Sequence, residues 1–253
     1  MEIVPGVHLV PGIPWSRVYL VEGKRLALVD AGPPWSAGRV EKYVRRIGRR
    51  PEDVAYILVT HSHPDHISGA RRLIERTGAS LVAHPMDTES TPNGGSHLSF
   101  KGPLGRSRAW LPFLPPTPVG QAAEEGTLLP ALDDLRIVHT PGHTPGSVCY
   151  LLEDRHVLFT GDTLFSDGRK LSRSVPWPGY NRSDYRHSLA ALADMEFDVL
   201  CGGHGSPMIG GASDKLRELL TSDPEPPTWG QAFSRLPKRL LSAAGSGGSN
   251  SRS

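Results

Sequence analysis

Val59-Thr60-His61-Ser62-His63-Pro64-Asp65-His66 places four side chains of metal-binding type within six residues. The apolar run that leads into it, Tyr56 to Val59, predicts a buried strand. Because side chains alternate along a strand, His61 and His63 should leave its end on the same face. Pro64 favours the first position of a helix, since its missing N–H would have no partner there. The sequence therefore predicts a strand end and a helix start that present imidazoles and a carboxylate to one region.

Each of these side chains also has a purely structural interpretation. A histidine at a strand end is often held by ordinary hydrogen bonds, and Asp65 would favour the start of a helix through the helix dipole. Four such groups packed together would cost stability unless cations or a proton network satisfied them. We therefore interpret the motif as a metal site.

Composition narrows the class of protein. The chain has 253 residues and a formal net charge of +2, which suits one domain with a full core. It has no basic run and no long apolar stretch, so neither nucleic acid nor a membrane is expected as a partner. No signal-peptide pattern is visible, and Cys149 and Cys201 lie in apolar runs typical of buried thiols in a reducing compartment. We expect a cytoplasmic protein, monomeric or homodimeric, whose partner is a small-molecule substrate.

Strand-like and helix-like segments alternate along much of the chain, which predicts an α/β catalytic domain over residues 1–222. Ser36 is expected to cap one helix, and a second helix is expected to be capped near Ser183. The helix that starts at Pro64 is expected to continue to Gly78, with a buried stripe along one face.

Two segments lack this periodicity. Residues 85–130 are rich in Gly and Pro, yet they include Trp110 and Phe113. We interpret the segment as a lid or insert that lines an apolar substrate pocket; packing on its own core or on a second subunit is the alternative. Residues 223–253 are rich in Pro and Ser and predict a partly disordered tail.

Three further side chains of metal-binding type each follow an apolar strand. They are His143 in Thr140–Gly146, Asp162 in Phe159–Thr163 and His204 in Gly202–Gly205. Glycine in these turns lets the backbone bend tightly and come close to a bound group. Rigid strand ends that present His, Asp and His are what a preorganised metal site requires.

The order of these motifs resembles the metallo-β-lactamase superfamily, and residues 139–165 are especially similar to its glyoxalase II-like hydrolases. The resemblance covers about residues 3–220 and implies an αβ/βα four-layer sandwich, with two mixed β-sheets and helices on the outer faces. It also implies two divalent metal ions. The first would be held by His61, His63 and His143, the second by Asp65, His66 and His204, with Asp162 bridging both and Asp30 supporting a ligand without binding metal.

Nitrogen and oxygen ligands without a thiolate favour Zn²⁺, with Fe or Mn as alternatives. Two such ions carry four positive charges, and Asp65, Asp162 and a bridging hydroxide leave about one, which suits a carbonyl oxygen gaining negative charge or an anionic substrate. Metal-bound water ionises near neutral pH, so we expect hydroxide to attack a polarised carbonyl. Asp162 and Asp65 are the expected catalytic carboxylates, with Asp65 assisting the leaving group.

The expected reaction is hydrolysis of a small ester, thioester or lactone. True β-lactamases of the superfamily generally lack the carboxylate found here at Asp162, so β-lactam cleavage is expected only as a weak side activity. Glyoxalase II proper carries a helical glutathione-binding domain, for which too little chain follows His204. Two alternatives stay open: a phosphodiesterase, and a persulfide dioxygenase with one iron held by residues matching His61, His143 and Asp162.

Substrate contacts are less well defined by the sequence. Between Asp162 and the next helix, Tyr180 and Arg182 are candidates, and an arginine there would bind a carboxylate or phosphate. A solvated loop is the alternative for both residues. With Trp110 and Phe113, they complete the set of candidate substrate residues.

Overall fold

The computed structural model describes residues 1–90, 96–98, 117–176 and 179–222. The strands of these residues are β1 (Glu2–Val4), β2 (Val7–Leu9), β3 (Tyr19–Glu22), β4 (Leu26–Val29), β5 (Val54–Leu58), β6 (Ser80–Ala83), β7 (Thr88–Ser90), β8 (Ser96–Leu98), β9 (Thr117–Pro118), β10 (Gln121–Ala122), β11 (Leu135–His139), β12 (Val148–Leu152), β13 (Val157–Gly161), β14 (Leu164–Asp167), β15 (Leu171–Arg173), β16 (Val199–Gly202), β17 (Gly205–Ser206) and β18 (Met208–Ile209). The helices are α1 (Ala37–Arg46), α2 (Pro64–Ile67), α3 (Ala70–Thr77), α4 (Arg182–Ala193) and α5 (Ala212–Ser222).

Two mixed sheets form the centre of the molecule. The first has the strand order β1-β2-β3-β4-β5-β6-β10, antiparallel through β4 and parallel from β4 to β10. The second has the order β11-β12-β13-β16-β18, in which only the β13–β16 pair is parallel among these described strands. Because β4 and β5 are parallel, and β11, β13 and β16 also run in one direction, the carboxyl ends of each set meet at one edge of their sheet.

Alternation along the strands separates three layers of apolar side chains. In β4, Ala27 and Val29 face the second sheet and pack with Tyr150 and Phe159. Leu26 and Leu28 face the other way, towards α1 and α3. The outer face of the second sheet packs against α4 and α5. The predicted αβ/βα sandwich with helices on both outer faces is therefore confirmed.

The predicted single helix after Pro64 is wrong, because the structure divides it into α2 and α3. The His66 carbonyl accepts hydrogen bonds from the backbone N–H groups of Ala31 and Gly32, at 2.7 and 3.1 Å, where a continuous helix would use it internally. At Gly69 an added Cβ would lie 2.3 Å from the Ala31 carbonyl oxygen, so the chain passes too close to the neighbouring loop for a side chain. The break lets the second half of the helix pack on the sheet while His66 stays at its edge.

Both predicted helix starts are present, but their capping interactions differ from those expected. Ser36 does precede α1, but its hydroxyl donates to the Ala31 carbonyl instead of accepting from the helix. Asn181, not Ser183, caps α4: its Oδ1 accepts from the N–H groups of Ser183 and Asp184 at 2.9 and 3.2 Å. An amide oxygen at this position satisfies two otherwise unpaired helix donors.

The described part of residues 85–130 contains more regular structure than its lost periodicity predicted. Strands β7, β8 and β9 form a small antiparallel sheet, and β10 extends the first large sheet beside β6. Trp110, Phe113 and the tail at 223–253 lie outside the described residues. Among the described residues, every helix is too short or too polar to span a bilayer.

Candidate metal centre

All seven predicted ligands come together at one edge of the two sheets. The loop after β5 carries His61 and His63, and the start of α2 carries Asp65 and His66. The loops after β11, β13 and β16 carry His143, Asp162 and His204. Their ligand atoms form two groups: His61, His63, His143 and Asp162, all buried, and Asp65, His66 and His204 beside them.

In the first group, three ring nitrogens converge on one point. His63 Nδ1 lies 3.0 Å from His61 Nε2 and 2.9 Å from His143 Nε2. The second group is similarly compact: His204 Nε2 lies 3.5 Å from His66 Nε2 and 3.4 Å from Asp65 Oδ2. Distances of this size are those of ligands that share a cation.

Asp162 lies between the groups. Its Oδ2 is 3.6 Å from His143 Nε2 and 3.3 Å from His204 Nε2, while its Oδ1 is 3.3 Å from His66 Nε2. Oδ1 is buried and, among the described residues, accepts no hydrogen bond. A buried carboxylate oxygen without a partner is costly, so its position fits a ligand to a cation.

The outer nitrogens of the second group decide where its lone pairs point. His66 Nδ1 donates to Asp30 Oδ2 at 2.7 Å, and His204 Nδ1 donates to the Trp15 carbonyl. Both acceptors lack a proton, so each neutral imidazole carries its hydrogen on Nδ1 and leaves Nε2 as a lone pair. Such outer partners fix the tautomer and the orientation of metal-binding histidines. Two Nε2 lone pairs directed at each other would repel, and a cation placed between them would bind both.

The first group is held in a comparable way. His61 Nδ1 lies 3.1 Å from Thr60 Oγ1, and His143 Nδ1 lies 2.7 Å from Ser174 Oγ. Thr60 in turn donates from its backbone N–H to Asp30 Oδ1 at 2.8 Å. Asp30 therefore reaches both groups, His66 directly and His61 through Thr60, whereas the resemblance implied only that it supports a ligand.

Electrostatics differ between the two groups. Burial lowers the pKa of His61, and it lowers that of His63 to about 4 and that of His143 to about 3. Burial is the largest single influence on His66 and His204 and opposes their charged forms, but the neighbouring carboxylates together outweigh it and raise the pKa of both: Asp162 and Asp30 for His66, Asp162 and Asp65 for His204. The interaction with these two histidines holds the pKa of Asp162 well below its usual range despite burial. The imidazoles of the first group are therefore neutral, whereas in the second group protons compete with a cation for the nitrogens of His66 and His204.

Hydrogen bonds between the sheets anchor the strand ends that carry the ligands. Tyr150 of the second sheet donates to the Val59 carbonyl at 2.8 Å, two residues before His61. Tyr19 of the first sheet donates to the Gly202 carbonyl at 2.7 Å, two residues before His204. Both tyrosines are buried, so the two halves of the centre are tied together across the core.

Sequence reasoning missed three residues at the centre. Trp15 supplies the carbonyl that holds His204, Ser174 holds His143, and Asp87 bonds the loops that carry the first group. For Asp87 the only sequence signal is an acidic residue in the turn that begins with Pro85. For Trp15 there is no sequence signal, because the group involved is a backbone carbonyl.

Of the predicted substrate residues, Tyr180 and Arg182 lie within the described part of the chain. Tyr180 is half-buried against Tyr185, with ring centroids 5.3 Å apart, and its buried hydroxyl has no hydrogen-bond partner among the described residues. Arg182 is exposed at the first position of α4. This segment does lie beside the loop of His143, since the Asn181 N–H donates to the Gly142 carbonyl at 2.8 Å.

Comparison with known proteins agrees with this arrangement. Residues 16–204 match the family model of the metallo-beta-lactamase superfamily. The chain belongs to this superfamily, and its relatives identify it as a metal-dependent hydrolase.

Three curated relatives illustrate the range. A probable metallo-hydrolase, YflN of Bacillus subtilis, is 26% identical over 83% of this chain and 87% of its own length. Hydroxyacylglutathione hydrolase GloC of Haemophilus influenzae is 29% identical over 79% of this chain and 89% of its own. The hydroxyacylglutathione hydrolase of Brucella ovis is 33% identical over 70% of this chain but only 56% of its own length.

Solved structures show the same fold. A metallo-beta-lactamase family protein from Thermus thermophilus, TTHA1429, is 25% identical with a TM-score of 0.65, over 87% of this chain and 80% of that one. TTHA1623, solved in a di-iron-bound form, is 27% identical with a TM-score of 0.60, over 79% and 92% of the two chains.

Proposed function

We propose that this chain is a dinuclear hydrolase that cleaves a small ester, thioester or lactone at its carbonyl carbon. The observation that carries the proposal is Asp162, whose two carboxylate oxygens lie between two complete groups of ligands. Oxygen and imidazole donors without a thiolate favour Zn²⁺ in both groups. Iron is the alternative metal, because the similar protein TTHA1623 was solved in a di-iron-bound form.

The cations, Asp162 and Asp65 would have different roles in the reaction. A cation pair held here supplies a Lewis acid for the carbonyl oxygen and a water polarised near neutral pH. Asp162 is buried between the two groups, and its carboxylate would offer a ligand oxygen to a cation in each. The side chain of Asp65 is 30% exposed, so it can exchange protons with solvent and pass one to the leaving group.

Aromatic side chains beside the second group favour a substrate with an apolar part. The Phe165 ring lies 5.4 Å from that of His204, edge to face. Trp15, whose carbonyl holds His204, is 67% exposed as a residue, and its ring packs on that of Trp35 with centroids 4.9 Å apart. These rings offer contact to an acyl chain or an alcohol portion while the carbonyl faces the ligands. The hydroxyacylglutathione hydrolases among the relatives support an acyl transfer to water as the reaction class.

The test is a panel of lactone, thioester, β-lactam and phosphodiester substrates on protein of measured metal content. We expect turnover of the lactone or thioester, two metal ions per chain, and loss of activity in Asp162→Asn. Turnover of the phosphodiester alone would contradict the proposal. If a preparation with one iron per chain oxidised a persulfide, the dioxygenase alternative would replace the hydrolase proposal. The presence of a complete second group of ligands argues against that alternative.

A further inference from the structure

Asp87 is a buried carboxylate that lies outside both ligand groups. It closes the short turn Pro85–Asp87 after β6, and only 3% of the residue is exposed. Its Oδ2 accepts from the Ser62 N–H at 2.8 Å and from Thr144 Oγ1 at 2.9 Å. Its Oδ1 accepts from the Gly146 N–H at 2.8 Å. The carboxylate therefore has three donors, all from two loops elsewhere in the chain.

Those two loops carry the three histidines of the first group. Ser62 lies between His61 and His63, and Thr144 directly follows His143. The two loops belong to different sheets, and no strand pairing connects β5 with β11 among the described residues. One carboxylate thus accepts from the backbone N–H between His61 and His63, and from the Thr144 hydroxyl and the Gly146 N–H in the loop of His143.

The Gly146 backbone packs too closely against Asp87 to admit a side chain. A Cβ added at Gly146 would lie 2.6 Å from Asp87 Cγ and 2.7 Å from the Asp87 backbone nitrogen. A glycine is therefore required for the loop to reach the carboxylate. Hydrogen bonds to an ionised acceptor are stronger than neutral ones, so the loops are held firmly at this point.

We propose that Asp87 is the positioning residue of the first metal group, setting the spacing between His63 and His143 without binding the cation. Asp30 bonds the ring of His66 directly, whereas Asp87 bonds the loops that carry the histidines of the first group and none of their rings. The proposal rests on the first group binding a cation, and it is independent of the substrate.

The experiment measures the dissociation constant of Zn²⁺ by competition with a chromophoric chelator. In a His204→Ala background the first group is the complete one, and Asp87→Asn should weaken its binding about 10–100-fold. In a His63→Ala background the first group is incomplete, and Asp87→Asn should leave binding of the remaining ion unchanged. Asn preserves the shape of the side chain, but its amide N–H₂ cannot accept from Ser62 or Gly146.

Asp53→Asn is the matched control. Asp53 also closes a turn that begins with proline, Pro51–Asp53, and accepts a backbone hydrogen bond from Arg50 at 2.9 Å, but at the opposite end of β5 from the ligands. It should leave Zn²⁺ binding unchanged in both backgrounds. Thr144→Val removes one of the three donors and provides a milder variant if Asp87→Asn does not fold; it should weaken the first group by a smaller factor.

Two results would overturn the proposal: equal weakening of both groups by Asp87→Asn, or no weakening of the first group by either variant. Absence of a metal centre gives a different result, because the unsubstituted protein would then bind no Zn²⁺ in the same titration, and failure of the proposed reaction alone would appear in the substrate panel and leave these affinities unchanged. The proposal on Asp87 can therefore fail while the metal centre stands.

Discussion

His66 donates a hydrogen bond from Nδ1 to Asp30 across 2.7 Å, and both side chains are almost completely buried. Asp30 has a φ of 61°, in the left-handed region that few residues other than glycine adopt. The same carboxylate accepts from the Thr60 N–H, one residue before His61. The strained turn after β4 thus aims one carboxylate at both groups, and the ligands are oriented before a cation arrives.

Replacement of Asp30 by Asn should weaken metal binding at the second group. Asn tolerates the left-handed backbone, so the turn should survive. Its amide N–H₂ cannot accept the proton of His66 Nδ1, which frees the ring to rotate or change tautomer. We expect a loss of about 10–100-fold in affinity for the second ion, measured by chelator competition. An unchanged affinity would mean that the Asp30–His66 hydrogen bond does not orient the ligand.

Acidification should remove the second metal ion before the first. Burial keeps the pKa of His63 near 4 and that of His143 near 3, so these imidazoles stay neutral as the pH falls. The pKa values of His66 and His204 are raised, so protons displace a cation from them at higher pH. Metal content measured after dialysis between about pH 8 and about pH 5 should fall from two ions per chain to one, because the first group's histidines stay neutral over this range. X-ray absorption spectroscopy at the zinc edge can identify which ion remains, because the first site has three histidine ligands and the second has two. Loss of the first group's ion at the higher pH would contradict the electrostatic account.

Tyr150→Phe should destabilise the fold and not only the site. The variant keeps the buried ring but leaves the Val59 carbonyl without the hydrogen bond that joins the two sheets. A buried acceptor that loses its partner costs about 1–3 kcal/mol in the free energy of unfolding, which urea denaturation can measure. Tyr43→Phe is the comparison, since the Tyr43 hydroxyl accepts from the partly exposed amino terminus at 2.7 Å and makes only a longer contact, 3.3 Å, with His8 Nδ1. It should cost less, and equal costs would argue against a special role for the link between the sheets.

Removal of the Trp15 indole should affect substrate binding more than turnover. Glycine suits the φ of 76° at this position, so Trp15→Gly should retain the carbonyl that holds His204. For esters with a long apolar acyl chain we expect KM to rise about tenfold, the factor that about 1.4 kcal/mol of lost contact produces. Acetyl esters should show little change. A fall in kcat with constant KM would instead show that Trp15 acts through its carbonyl on His204.

The part of the site that sequence could predict follows from short spacings. The alternation of His61 and His63 at a strand end, and the glycine turns around His143 and Asp162, are local patterns that the fold preserves. Division of the ligands into two groups was implied by the family resemblance, and the structure brings the same residues together. The sheets and most helices are also encoded by periodicity within a single segment.

What sequence could not predict depends on contacts between distant segments. The break at Gly69 arises because the loop at Ala31 and Gly32 occupies the His66 carbonyl. Asp87 bonds a residue 25 positions earlier and others 57 and 59 positions later, so no local spacing marks it as part of the centre. Such contacts appear only once the two sheets are packed.

Anomalous diffraction at the zinc edge, from crystals grown with ample Zn²⁺, tests the metal centre most directly. The account predicts two peaks per chain, one among His61, His63 and His143 and one among Asp65, His66 and His204, with Asp162 contacting both. Crystals of Asp162→Asn should lose or weaken at least one peak. A saturated crystal with these side chains ordered and no peak between them would contradict the assignment of the chain as a dinuclear hydrolase.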